Sequence, residues 1–140
     1  MLPTLSEISP LPPFDKIELE DLGEEEGSGQ TVTVNWEGHG VIRVHVVIPD
    51  PESPVVRANY EEIRERWPEF IETAIGEVEN LIREYEKEEY PPDPAEDYFA
   101  FPVPTEPLSE SPEWTFYINS EPCWVVDFSG FKVVGGQGVF

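Results

Sequence analysis

From Thr31 to Trp36 the chain reads TVTVNW, which puts Val32, Val34 and Trp36 on one side of an extended strand and Thr31, Thr33 and Asn35 on the other. The short linker EGHG, residues 37–40, leads into VIRVHVVI, where Ile42, Val44, Val46 and Ile48 share a face opposite Arg43 and His45. Two alternating runs so closely joined predict a hairpin. The same reasoning predicts a second one from WTFYIN and CWVVDF, joined through Ser120, Glu121 and Pro122. There Trp114, Phe116 and Ile118 match Trp124, Val126 and Phe128. FDKIELEDL, residues 14–22, alternates more weakly and suits an edge strand, where Lys16 and Glu18 discourage further pairing.

Between the hairpins the period changes from two to that of a helix. Asn59, with Glu62 three residues on, forms a capping-box pattern and predicts one helix from about Asn59 to Glu88. Its apolar stripe is Tyr60, Ile63, Trp67, Phe70, Ile71, Ala74, Ile75, Val78, Leu81, Ile82 and Tyr85. The phase holds across Pro68, so the prediction is a single kinked helix. An interior proline costs ~3 kcal/mol, while each large side chain on the stripe contributes about 1.5 to 3 kcal/mol on burial. The expected fold is therefore α+β and two-layered: an antiparallel sheet of about five strands, one face covered by a long kinked helix, the other solvated.

Prolines define the remainder. Residues 1–13 form a Pro-rich N-terminal segment ahead of a single domain at 14–140, and the proline-dense stretch 91–112 reads as an ordered, extended crossover that lays Tyr98, Phe99, Phe101 and Val103 across the core. LGEEEGSGQ, residues 22–30, combines like charges with glycines and reads as a mobile acidic loop.

Charge changes the picture most. The chain has 140 residues and ordinary hydrophobic and aromatic contents of 39% and 12%, yet it sets 30 acids against 8 bases, a formal net charge of −22. Such a field repels nucleic acid and anionic membrane and attracts basic surfaces. No apolar run is long enough to span a bilayer. With one cysteine, Cys123, there is no intramolecular disulfide framework, and MLPTLSEISPLPP lacks the marks of a signal peptide, so a cytoplasmic location is expected.

The helix carries a second row beside its apolar stripe: Glu61, Glu65, Glu69, Glu72 and Glu79. Helical spacing pairs Glu61 with Arg64, Glu62 with Arg66, and Glu79 with Arg83, and leaves Glu65, Glu69 and Glu72 without bases. Glu84, Glu86, Glu88 and Glu89 crowd the C-terminal end, where the helix dipole disfavours acids. Local stability does not account for this placement, and the five-residue row is the candidate partner-binding face. The plainer reading is a surface that serves solubility.

For catalysis the candidates are few. His45, Cys123 and Asp127 alternate onto the open face of the sheet, but Cys123 and Asp127 stand four residues apart on one strand, about 13 Å, too far for one imidazole to serve both. His39 reads as a turn residue. The tail VVGGQGVF contains Gly-Gly-Gln, which resembles the tip of peptide-release factors; the acidity opposes a ribosomal site, and a glycine-rich turn returning Val139 and Phe140 to the sheet is expected. No phosphate-loop, dinucleotide, zinc-protease or calcium-loop pattern is present. No catalytic residue, metal ligand or cofactor is assigned.

In format and charge, residues 30–140 resemble the small acidic bacterial domains that include immunity proteins against secreted toxins. The resemblance implies a non-enzymatic protein whose acidic surface engages a basic partner, for instance the cationic active site of a toxin domain. The alternative is a structural or scaffold module acting through its open sheet face or its aromatic crossover, its charge serving solubility alone.

Overall fold

In the computed structural model, residues 5–8, 11–23, 27–36, 40–85, 93, 96–120 and 123–139 are described, with backbone alone for 5–8. His39, the centre of the acidic stretch at Glu24 to Glu26, and the acids Glu86, Glu88 and Glu89 lie outside the described residues.

Both hairpins form. Strand β3 (Ser28–Trp36) pairs antiparallel with β4 (Gly40–Val47), and β6 (Glu113–Ile118) with β7 (Cys123–Ser129). Between them lies β5 (Tyr98–Pro102), parallel to β4 and antiparallel to β6. Strand β8 (Lys132–Val139) follows β7, while β1 (Leu5–Ile8) and the two-residue β2 (Glu20–Asp21) both lie along β3. The sheet is thus larger than the expected five strands, running β1-β3-β4-β5-β6-β7-β8 with β2 off that path, and it is mixed instead of purely antiparallel.

Each correction has a physical cause. YFAFP is flanked by prolines, yet Pro102 ends β5 and the ladder continues beyond it when the Val103 N–H donates to the Val47 carbonyl at 2.8 Å. Proline at a strand end costs little pairing, so the supposed crossover supplies a central strand. The Gly-rich tail is strand, not turn: Gly136 lies beneath Leu81, where a Cβ would meet Leu81 Cδ1 at 3.1 Å and the Val125 carbonyl at 3.2 Å. β3 begins at Ser28, so the last residues of the stretch read as loop are strand, and within the predicted edge strand Phe14–Lys16 form a 3-10 turn before β2.

The predicted single helix is two: α1 (Pro54–Glu65) and α2 (Trp67–Glu84). The first begins before Asn59 because the Ser53 side chain caps it, accepting from the Val56 N–H at 3.3 Å, with Pro54 at the first helical position. The break is at Arg66, whose φ of −103° and ψ of 14° leave the helical region just before Pro68. Proline has no N–H to continue the first helix but suits the first turn of a new one. The break keeps the phase. Every member of the apolar stripe from Tyr60 to Ile82 is buried; Tyr85 at the end is 43% exposed, its ring 5.6 Å from Trp124.

The helices cover one sheet face. Trp36, Ile42, Val44, Phe99, Phe101, Phe116, Trp124 and Phe128 meet the helical stripe there, all at most 1% exposed. No helix among the described residues is long and apolar enough to cross a membrane.

Candidate functional site

The acidic row divides by role. Glu61 accepts from the Phe14 backbone N–H at 2.8 Å and from Arg64 Nε at 2.7 Å, fastening the N-terminal 3-10 turn to α1. Its partial burial alone would raise the carboxyl, but the Phe14 hydrogen bond, the Arg64 hydrogen bond and the guanidinium charge outweigh this and hold it below the usual carboxylate range. Glu79 accepts from the Trp36 indole Nε1 at 2.6 Å, while its expected partner Arg83 donates to Asn80 at 2.8 Å. Both carboxylates thus serve the fold. A single helical wheel gave no sign of this, because the partners Phe14 and Trp36 come from distant segments.

Glu65 and Glu69 are exposed and Glu72 is partly so. Arg66, between them in sequence, is engaged elsewhere: its guanidinium stands 4.6 Å from the Phe131 ring centroid and 3.9 Å from Glu62. Among the described residues the ion pairs are Arg64–Glu61 and Arg66–Glu62. Glu65, Glu69 and Glu72 thus form no ion pair among the described residues, although the Arg64 guanidinium feels the Glu65 charge.

A second acidic surface, absent from the sequence reading, lies on the open face of the sheet. The segment after β5 arches over the ends of β6 and β7 and encloses a groove of about 980 Å³, whose lining includes Pro102, Pro104, Trp114 and Val134 together with Glu106, Glu110, Glu113 and Asp127. Among the described residues no lysine, arginine or histidine lines it. Its wall is held by Asn59, only 3% exposed, whose Nδ2 donates to the carbonyls of Pro104 and Glu106 at 2.8 Å each and whose Oδ1 accepts from the Leu108 N–H at 3.2 Å. Asn59 is thus a tether inside α1 and not its cap. At the other end the Trp114 indole donates to the Gly130 carbonyl at 2.6 Å and Ser129 Oγ to the Ser111 carbonyl at 3.0 Å. Chemically, the groove offers carboxylates over an apolar, backbone-walled floor, which suits amine or guanidinium groups on a chain. Among the described residues no three acids, histidines or cysteines converge closely enough to hold a metal ion.

His45, Cys123 and Asp127 do share a sheet face but do not meet. His45 is on β4 and the other two on β7, three strands away in the order β4-β5-β6-β7, roughly 14 Å at ~4.8 Å per strand. His45 is only 8% exposed, not solvated as alternation suggested, because Tyr98 of the unforeseen β5 stacks on it at 4.0 Å between centroids. Burial pushes the Cys123 thiol up, away from the thiolate a nucleophile needs.

No family model matches the chain, and neither a curated protein nor a solved structure matches it.

Proposed function

We propose that the chain is a non-enzymatic acidic binding protein that engages a basic protein partner, as an immunity protein would by covering the cationic active site of a toxin domain. One observation carries this reading: on two separate surfaces, the α1–α2 row at Glu65, Glu69 and Glu72 and the groove at Glu106, Glu110, Glu113 and Asp127, carboxylates gather with no ion pair among the described residues. Like charges so placed raise the energy of the folded chain slightly, and a cationic partner relieves that repulsion. Complementary fields also speed encounter.

The test is the affinity of the intact chain for a lysine-rich peptide across a salt series. Exposed charges are screened over about 8 Å at physiological ionic strength, so binding weakens steeply as salt rises. Binding that is absent at low salt, or indifferent to salt, removes the electrostatic partner.

A further inference from the structure

The two edges of the sheet are unlike. On one side β3 is covered, by β1 opposite Val34 and Trp36 and by β2 opposite Ser28 and Gly29. On the other side β8 is the last strand, paired among the described residues with β7 alone. An edge strand presents a row of backbone N–H and C=O groups, and folded proteins blunt such edges with charge, proline, bulges or short length. β8 has little of this protection. It runs for 8 residues, and beyond a register irregularity near Val133 the stretch Val134 to Val139 contains no charged residue and no proline. Val134 and Val139 are 54% and 51% exposed.

The surroundings of this edge are acidic on both faces. On the helix side, Leu81 of α2 rests over Gly136. Glu77 and Glu84, four residues before Leu81 and three after, stand on the same flank of α2 by helical spacing. On the open side, Asp127 Oδ2 lies 3.4 Å from the position a Cβ on Gly135 would take. The edge thus offers main-chain hydrogen bonds along its length and carboxylates above and below.

We infer that β8 is the docking edge for an extended, lysine- or arginine-bearing segment of the partner, which adds a strand to the sheet. Backbone pairing supplies affinity that does not depend on charge, and the segment's alternate side chains project toward Glu77 and Glu84 on one face and Asp127 on the other. A second copy of the chain is the poorer occupant. Two molecules of net charge −22 repel each other, and a copy brings the same carboxylates to the same edge. The inference rests on the acidic-binding reading above.

The experiment is amide hydrogen exchange of the intact chain with and without a peptide in which lysine alternates with valine. The expected result is slowing of about tenfold or more across Val133 to Val139 when the peptide is saturating, as new ladder bonds require, with α1 unchanged. Amide N–H groups alternate in direction along a strand, so of Gln137→Pro and Gly138→Pro one removes an outward donor. That variant is expected to bind about tenfold more weakly while retaining its melting temperature. Peptide that binds while β8 exchange is unchanged overturns the edge assignment and leaves the acidic-binding reading standing. Peptide that does not bind at low salt overturns both. Protection of β8 that grows with protein concentration and no peptide overturns the partner strand in favour of self-pairing.

Discussion

Replacing Phe70 with alanine lowers folding stability by about 3 to 5 kcal/mol, the range for deleting a large buried aromatic side chain. Phe70 is 3% exposed and sits at the hub of the aromatic core. Its ring lies 5.1 Å from Phe101, 5.2 Å from Trp114, 5.3 Å from Phe128 and 5.9 Å from Phe116, measured between centroids. These rings come from β5, β6 and β7, which are rigidly paired, so the sheet cannot collapse into the space left behind. The cost should therefore fall at the upper end of the range. Chemical denaturation of the variant and the parent side by side measures it, and a loss under about 1 kcal/mol would mean that α2 is not seated on the sheet through this residue.

Asn59→Ala is expected to cost on the order of 3 kcal/mol, unusual for a small polar truncation. Its amide satisfies the carbonyls of Pro104 and Glu106 and the Leu108 N–H. Each buried group left without a partner costs about 1 to 3 kcal/mol, and relaxation or entering water recovers part of the sum. The same change frees the groove wall. Denaturation should show the loss, and hydrogen exchange should show faster exchange at Leu108 than the global destabilisation explains. A variant as stable as the parent, with Leu108 still protected, would show that the Pro104-to-Leu108 segment is held by something other than α1.

Much of this architecture is legible in the sequence because it follows from periodicity. Alternation in TVTVNW and WTFYIN, and the stripe from Tyr60 to Ile82, depend on neighbours a few residues away, and the structure buries those residues as expected. What the sequence hides depends on distant partners. Pro102 ends a central strand only because Val47 lies beside it. Gly136 belongs to a strand because Leu81 needs the space above it. Asn59 looks like a cap until the carbonyls of Pro104 and Glu106 are seen around it. The candidate site divides the same way: the acidic row is visible on a helical wheel, whereas the engagement of Glu61 and Glu79, and the groove formed by Glu106, Glu110, Glu113 and Asp127, require the fold.

The acidic row is proposed to have a place in recognition beyond its share of the total charge. The most direct measurement compares on-rates for a lysine-rich peptide at low salt among the parent chain and two variants of equal charge. One variant replaces Glu65, Glu69 and Glu72 with glutamine; the other carries Asp15→Asn, Glu18→Gln and Glu20→Gln at exposed positions ahead of β3. Both variants should fold, since exposed charges contribute little to stability. Association is expected to be slower, and its salt dependence flatter, for the row variant than for its charge-matched control, because steering depends on where the charges stand. Equal on-rates for the two would contradict it, and the row would then be a solvated surface that keeps the protein soluble.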